Sequence, residues 1–244
     1  MTQIVPLNSD KHRALEVDGR AAALYGDNQR FVQVIAKEFP QLVVHYPILF
    51  SKDATTGQFY CGALLGFDEG ENLFLAEWAD RELYRPLSLQ RGPFYAHGPE
   101  LAIDLDHPRG GAEGGKRLFT EGGQPTQYLQ SIIWAFRDLK PGIEVSRLFI
   151  ARLLELKLIE PIDVEVEFDD GTLRNCVGLY TISQPTLMRL PDEVVVELFR
   201  RGYLSLIHLM IASLKQIPVL ARRKNARLLR ATEGLGSSGA AALG

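Results

Sequence analysis

The segment of residues 159–190 constrains the fold more than any other part of the chain. Apolar residues alternate with acidic residues over 162–168, which is the period of a strand with one buried face. The pair Asp170-Gly171 follows, and it suits a tight hairpin turn because both residue types tolerate a positive φ. The sequence therefore predicts a β-hairpin whose return strand covers residues 172–182.

The turn length sets the register of this hairpin. A turn of two residues would put three pairs opposite each other: Phe168 with Leu173, Val164 with Val177, and Glu167 with Arg174. The third pair would lie on the solvent face of the ribbon. We therefore expect opposite charges to meet across the two strands.

Helical patterns precede the hairpin. Pro125 suits the first turn of a helix, and it is followed by apolar residues at helical spacing: Leu129, Ile132, Ile133 and Phe136. The pair Pro141-Gly142 predicts the end of this helix, and a second helix is expected over 143–158 before Pro161. Beyond the hairpin, Pro191 with Asp192 and Glu193 favours a helix start, and a last helix over 203–230 should kink at Pro218.

The N-terminal half has the pattern of strands. Apolar runs over 42–50 and 59–67 predict a long hairpin, with Pro47 at an edge position or a bulge. Shorter strands are predicted over 73–75, 94–97 and 101–105. The fold class is therefore α+β, with antiparallel hairpins and a sheet in the N-terminal half and helices packed around the second hairpin in the C-terminal half. We expect one domain over 1–232, comprising a mainly β part (40–108) and a helical part (124–230), then a flexible tail over 233–244.

Composition limits the classes of partner. The 244 residues are 46% hydrophobic, enough for a sizeable core, and the net charge of −3 gives no general attraction to nucleic acid. A basic cluster ends the last helix at Arg222, Arg223, Lys224, Arg227 and Arg230. It lacks the interleaved aromatic residues of a single-strand binder, so we interpret it as complementing the helix dipole and not as a nucleic-acid site. Cys61 and Cys176 lie in apolar runs and are expected to be buried free thiols.

The sequence predicts a cytoplasmic protein. Residues 1–10 have neither the basic start nor the apolar block of a secretory signal. The most apolar segment, 203–220, contains His208, Lys215 and Pro218 and is therefore interpreted as a buried helix without a membrane span.

Candidate ligand-binding residues concentrate where arginine, proline, glycine and aromatic residues accumulate, over 84–107. Tyr84, Arg85, Arg91 and Tyr95 could line a groove for a carboxylate, a phosphate or a peptide, because guanidinium groups bind such anions bidentately. The alternative is that these arginines bond to loop carbonyls. The glycine-rich segment 110–123 is predicted to be a loop or lid beside them.

Asp104, Asp106 and His107 complete the set of candidate site residues. Two carboxylates beside an imidazole could seed a metal site or an acid–base pair. A metal site would require more ligands at defined spacing, so the alternative is a cluster of aspartates that caps a turn. We expect no bound cofactor or metal.

Several short motifs resemble the SapC family of bacterial proteins over roughly residues 40–225. They are Tyr46-Pro47-Ile48, Gly62-Ala63-Leu64-Leu65-Gly66-Phe67, Tyr84-Arg85-Pro86-Leu87, Arg91-Gly92-Pro93-Phe94, Ile103-Asp104-Leu105-Asp106, Leu158-Ile159-Glu160-Pro161, Gly178-Leu179-Tyr180 and Gly202-Tyr203-Leu204. The family is named after a protein associated with a bacterial surface layer. The resemblance therefore implies a link to surface-protein production or export.

The leading hypothesis is an accessory protein that binds a peptide, a protein segment or a similar polar ligand at the loops of 84–107. One alternative is a metal-dependent enzyme that uses Asp104, Asp106 and His107. Another is a structural subunit of a larger assembly.

Overall fold

The computed structural model describes residues 3–79, 83–98, 100–111 and 114–240, and for residues 79 and 232–240 it describes the backbone only. The strands in this part of the chain are β1 (Ile4–Pro6), β2 (Glu16–Val17), β3 (Phe31–Gln33), β4 (Ile48–Lys52), β5 (Phe59–Leu64), β6 (Phe94–His97), β7 (Glu100–Asp104), β8 (Lys116–Arg117), β9 (Ile159–Pro161), β10 (Val164–Glu167), β11 (Leu173–Cys176) and β12 (Leu179–Ile182). The helices are α1 (Phe39–Leu42), α2 (Leu75–Ala79), α3 (Leu87–Gln90), α4 (Gln127–Glu155), α5 (Gln184–Leu187), α6 (Asp192–Arg200), α7 (Tyr203–Ser213) and α8 (Ile217–Ala240). The fold is α+β, as the sequence predicted.

The main sheet is antiparallel and has the strand order β3-β5-β4-β12-β9. Strands β4 and β5 form the predicted N-terminal hairpin, in which Ile48 pairs with Ala63 and Lys52 with Phe59. The prediction of an edge position or bulge at Pro47 was wrong, because Pro47 precedes an interior strand and therefore removes no ladder donor from it. Residues 73–75 were expected to form a strand, but residues 73 and 74 lie in a turn and Leu75 is the first residue of α2.

The C-terminal hairpin follows the predicted alternation but not the predicted register. Its loop has three residues, because the amide of Phe168 donates to the carbonyl of Thr172 at 2.9 Å. Val164 therefore pairs with Cys176 and Glu167 with Leu173, one residue away from the expected partners. Gly171 supplies the positive φ (78°) that such a loop requires.

The return strand of this hairpin also divides into two strands in different sheets. Gly178, with a φ of 78°, separates β11 from β12. Strand β11 pairs only with β10 among the described strands, whereas β12 joins the main sheet between β4 and β9. The C-terminal hairpin thereby extends the sheet that the N-terminal hairpin begins.

Helix α4 is continuous over Gln127–Glu155, so the predicted break at Pro141-Gly142 was wrong. The hydroxyl of Ser146 accepts a hydrogen bond from the amide of Ala36 at 2.9 Å and donates to the carbonyl of Gly142 at 2.7 Å. These contacts hold the central turn of α4 against the segment after β3. Tertiary packing therefore outweighs the loss of the one intrahelical bond that proline removes.

Helix α4 spans two hydrophobic clusters. Its first turns bury Leu129 and Ile132 against the small sheet β1-β7-β6, and its last turns bury Phe149 and Leu153 against the main sheet. The middle of α4 lies between the two clusters. Loops and α3 pack beside this middle part.

The C-terminal helices begin and kink where the sequence predicted. Helix α6 starts after Pro191, and a short 3-10 turn over Leu214–Gln216 separates α7 from α8 just before Pro218. The helical segment Tyr203–Ala231 is long and apolar enough to cross a membrane. Three of its residues, Tyr203, Ile207 and Met210, are buried in the hydrophobic cluster that packs on the main sheet. Backbone helix continues to Ala240, and residues 241–244 of the predicted flexible tail lie outside the described residues.

Candidate functional site

A cavity of about 820 Å³ lies between the first turns of α4 and the loops that face them. Four segments that are distant in sequence wall it, and they contribute Asp18, Gly19 and Arg20; Trp78, Leu83, Tyr84, Arg85 and Gln90; Gly114, Gly115 and Lys116; and Gln127, Tyr128, Ser131 and Ile132. We refer to this space as the polar cavity. Residues 84–90 and the glycine-rich segment thus form walls of the same cavity.

Arg85 forms part of the floor of the polar cavity. Its guanidinium donates to Asp27 at 3.0 Å and to the carbonyls of Leu89 and Gly19 at 2.9 and 3.3 Å. Its Nε is buried and has no hydrogen-bond partner among the described residues. Burial lowers the pKa of Arg85, and Asp27 partly opposes this effect. The side chain is therefore a fixed cation with one donor that no group in the described part of the chain satisfies.

Arg109 fixes the loop that carries the rim of the polar cavity. It is buried, it pairs with Asp27, and it donates to the carbonyls of Asp18 and Arg20 at 2.8 and 2.5 Å. Its guanidinium also lies 4.4 Å from the ring centroid of Tyr25. Asp27 therefore lies between two arginines, which gives this buried cluster a net positive charge.

Asp18 and Arg20 form an ion pair at the rim. Two oxygens of Asp18 accept from the guanidinium, at 2.7 Å in the shortest bond, and the hydroxyl of Tyr25 donates to the same carboxylate at 2.7 Å. The hydrogen bonds from Arg20 lower the pKa of Asp18 well below its usual range. The Arg20 side chain is 75% exposed, so its guanidinium remains accessible to a ligand.

Tyr84 is held in the wall by the buried carboxylate of Glu38. The Tyr84 hydroxyl donates to Glu38 at 3.1 Å, and the Tyr84 carbonyl accepts from the hydroxyl of Tyr46 at 2.6 Å. Tyr46 in turn accepts from the indole of Trp78 at 2.9 Å. Burial raises the pKa of Glu38 and that of Tyr84. The wall is therefore a connected set of hydrogen-bonded aromatic side chains.

Helix α4 contributes Tyr128 to the opposite wall. The ring of Tyr128 packs so closely on Gly19 that a Cβ at that glycine would lie 3.1 Å from it. The ammonium of Lys116 lies 5.5 Å from the centroid of the same ring. Burial raises the pKa of Tyr128, so its hydroxyl stays protonated at neutral pH.

The charge of the described lining favours anions. Arg20, Arg85 and Lys116 carry three positive charges, and Asp18 carries one negative charge, which leaves a net charge of +2. A cleft lined mainly by one sign of charge raises the local concentration of oppositely charged ligands. The arrangement therefore suits a ligand that carries carboxylate or phosphate groups. The part of the ligand between these groups would pack against the tyrosine rings.

The structure divides the predicted site residues into three places. Tyr84 and Arg85 line the polar cavity, whereas Arg91 lies on the other side of α3, with its guanidinium 5.0 Å from the ring of Tyr95. The expectation that these four residues share one groove therefore needs revision. Arg85 also bonds to loop carbonyls, as the alternative proposed, and still faces the cavity.

Asp104, Asp106 and His107 lie in the turn that ends β7. The carboxylate of Asp104 accepts from the amide of Asp106 at 3.1 Å, and Nδ1 of His107 accepts from the amide of Arg109 at 3.2 Å. Burial lowers the pKa of His107. In the part of the chain that the structure describes, no group of three or more His, Cys, Asp or Glu residues could hold a metal ion. The side chains of Asp104 and His107 therefore cap a turn that positions Arg109.

Several residues of the site were not identified from the sequence. They are Asp18, Arg20, Asp27, Lys116 and Tyr128. They come from three parts of the sequence, residues 18–27, Lys116 and Tyr128, and no motif spacing connects these parts. Arg109 could have been predicted from the sequence. The segment rich in arginine, proline and glycine, taken as 84–107, continues for two more residues and then includes it.

Comparison with known proteins identifies the family. The model of the SapC family matches residues 7–220, which covers most of the chain and every described segment that walls the polar cavity. Searches of curated proteins and of solved structures give no match. The chain belongs to the SapC family.

Proposed function

We propose that this protein is an accessory factor that binds an acidic peptide or protein segment in the polar cavity. The observation that carries the proposal is the net charge of +2 on the described walls of an 820 Å³ cavity. Its volume lies within the range of about 300–1,000 Å³ that is typical of specific ligand sites. The aromatic residues Tyr84 and Tyr128 line the same cavity.

The unsatisfied donor of Arg85 supports a specific contact. Its Nε is buried and finds no acceptor within the segments that the structure describes, while the rest of the guanidinium is held by Asp27 and two carbonyls. A buried donor without a partner is unfavourable, and a small movement of Arg85 toward a ligand carboxylate would satisfy it through a charge-assisted hydrogen bond. Arg20, at the exposed rim, would bind a second acidic group.

Binding fits the titration behaviour of the lining better than proton-transfer catalysis does. A general acid or base works best when its pKa lies near the operating pH. Arg20 holds Asp18 ionised, and burial raises the pKa values of Tyr84 and Tyr128. None of these three groups changes its protonation state near neutral pH.

The family association gives this binding a biological setting. SapC is named after a surface-layer-associated protein, and we propose that the bound segment belongs to a surface protein during its production or export. A cytoplasmic accessory protein would hold such a segment before it leaves the cell. The acidic segment is the chemical feature that the cavity recognises.

Trp78 provides a direct test because it lines the polar cavity. Trp134→Phe leaves Trp78 as the single tryptophan of the chain. In that background, we expect tetraglutamate to change the fluorescence of Trp78 saturably and tetraglutamine to bind about tenfold or more weakly. The double variant Arg20→Gln/Lys116→Gln should lose the binding of tetraglutamate, and Arg147→Gln, an exposed arginine on a distant turn of α4, is the matched control.

Equal binding of the two peptides would contradict the proposal. So would undiminished binding of tetraglutamate by the double variant. Isothermal titration calorimetry on the same proteins separates a change in affinity from a change in fluorescence alone.

A further inference from the structure

A second cavity, of about 450 Å³, lies on the other side of α3. Helix α3 contributes Gln90 to the polar cavity and Ser88 to this second one, so it separates the two. Six apolar residues line the second cavity: Val34, Ile35, Ala96, Phe136, Leu139 and Ile143. We refer to it as the apolar cavity.

Four polar residues line the apolar cavity: Gln33, Ser88, Arg91 and Lys140. The two charged residues among them are both cations, and the described lining contains no acidic residue. Within the described residues, no carboxylate pairs with Arg91 or Lys140. Arg91 makes one long hydrogen bond, of 3.3 Å, to the carbonyl of Phe94 and lies over the ring of Tyr95. Two cations at the edge of an apolar space favour an anionic head group with an apolar body.

Ser88 gives a second, independent indication. Its hydroxyl oxygen is buried, and no described protein group hydrogen-bonds to it. Buried hydroxyls in proteins are generally paired, because an unpaired one loses its bonds to water without replacement. Ser88 lines the apolar cavity, so rotation of its side chain toward a bound ligand oxygen would give this hydroxyl a partner.

The size and access of the apolar cavity define the ligand further. Ala96 and Lys140 are exposed, so the space can be entered from solvent. If each non-hydrogen atom takes about the 30 Å³ that a water molecule occupies in the liquid, the cavity holds roughly 15 such atoms. This is the size of a medium-chain or a single-ring aromatic acid and not that of a peptide helix.

We propose that the apolar cavity binds a small apolar monocarboxylic acid. The carboxylate lies between Arg91 and Lys140 and accepts a hydrogen bond from the hydroxyl of Ser88. The chain or ring of the acid packs against Ile35, Phe136 and Ile143. This site is distinct from the polar cavity, and it does not depend on the function proposed for that cavity.

Octanoate is the probe for this site, with octanol as its uncharged match and acetate as the match without an apolar chain. In methyl-labelled protein, we expect octanoate to shift the methyl resonances of Ile35, Leu139 and Ile143 saturably. Octanol and acetate should each bind about tenfold or more weakly, because each lacks one half of the interaction.

Two variants test the two halves of the site. Arg91→Gln removes the principal cation, and we expect octanoate to bind about tenfold or more weakly. Ala96→Leu places a larger side chain in the mouth of the cavity and should block octanoate while the exposed position keeps the fold intact. Arg137→Gln, an exposed arginine on α4 outside the lining, is the matched control.

Three results would overturn the proposal. They are the absence of methyl shifts at Ile35, Leu139 and Ile143, unchanged binding of octanoate by Arg91→Gln, and equal binding of octanol and octanoate. The variants also separate the two cavities. Arg20→Gln/Lys116→Gln should leave octanoate binding unchanged, and Arg91→Gln should leave tetraglutamate binding unchanged.

Discussion

The carboxylate of Glu38 accepts a hydrogen bond from the backbone amide of Leu87 at 2.8 Å, across 49 residues of sequence. The same oxygen accepts from the hydroxyl of Tyr84, and the other oxygen accepts from the amide of Ile35 at 2.9 Å. Leu87 is the first residue of α3, which separates the two cavities. Glu38 therefore holds both the start of α3 and one wall of the polar cavity.

Replacement of Glu38 by glutamine should destabilise the protein at pH 7. A glutamine has one acceptor oxygen where glutamate has two, so its amide group would face a backbone donor. We expect a loss of about 1–3 kcal/mol in the free energy of unfolding, measured by urea denaturation. Exposed Glu144→Gln, which breaks an i,i+3 pair with Arg147, should change it by less than about 0.5 kcal/mol. A loss equal to that of Glu144→Gln would contradict the proposed role of Glu38.

The stability difference between the wild type and Glu38→Gln should depend on pH. Burial raises the pKa of Glu38 in the folded chain above its ordinary value of about 4.5. The folded protein thus keeps this proton to a higher pH than the unfolded chain does. The resulting stabilisation is fully present below about pH 4.5 and is lost as the pH rises through the folded pKa. We expect the wild type's advantage to narrow between pH 4 and pH 8, and an advantage that grows over this range would show that the pKa is lowered instead.

Asp27→Asn should destabilise the protein strongly. Asp27 pairs with both Arg85 and Arg109, and its carboxylate also accepts from the amide of Ala22 at 2.9 Å. The neutral side chain would leave two buried guanidinium groups without an anion. We expect a loss of about 3–5 kcal/mol in the free energy of unfolding, measured by urea denaturation. A loss below about 1 kcal/mol would mean that the two arginines can reach water.

Gly142→Ala should destabilise the protein although alanine favours helices. A Cβ at Gly142 would lie 2.3 Å from Cδ1 and 3.1 Å from Cβ of Ile35, so α4 or the segment after β3 must shift. Overpacking of this kind costs about 1–3 kcal/mol, against a gain of about 1 kcal/mol from helix propensity. Thermal unfolding should therefore show a net loss, and Gly122→Ala, whose Cβ would meet only Thr120 at 3.9 Å, is the control. A variant more stable than the wild type would show that Ile35 moves freely.

The local period of the C-terminal hairpin could be predicted, but its register could not. The alternation over 162–168 arises because one face of the strand is buried. Each residue, by being apolar or polar, indicates on its own which face its side chain occupies. The register depends on two single-residue features, the three-residue loop ending at Gly171 and the extra residue at Gly178. The residue pair Asp170-Gly171 fits both loop lengths, so the sequence did not distinguish them.

Helix α4 shows how tertiary contacts override a local signal. Pro141-Gly142 normally ends a helix, and only the packing of Gly142 on Ile35 and the bonds of Ser146 explain its continuation. The polar cavity has the same origin. Asp27 and Arg109 are 82 residues apart in sequence, and only the tertiary fold brings them together. Tyr84 and Arg85 could be predicted as site residues from the sequence. They lie in a segment rich in arginine, proline, glycine and aromatic residues, and such loops often carry binding residues.

Lys224→Met tests how the last helix is attached to the body of the protein. The ammonium of Lys224 donates to Asp68 at 2.7 Å and to Glu71 at 2.5 Å, and it is largely buried. Asp68 also pairs with Arg174 of β11, so three elements meet at this cluster. Methionine retains most of the apolar stem but leaves the buried carboxylate of Glu71 without a cation. We expect a loss of about 3 kcal/mol in the free energy of unfolding.

Arg227→Met provides the matched control for this change, since Arg227 is exposed on the same helix. We expect urea denaturation to show a change of less than about 0.5 kcal/mol for it. The part of the basic cluster that carries this effect would then be the buried lysine and not the general positive charge of α8. Equal effects of the two variants would instead assign the stabilisation to charge alone, because both changes remove one cation from the same helix.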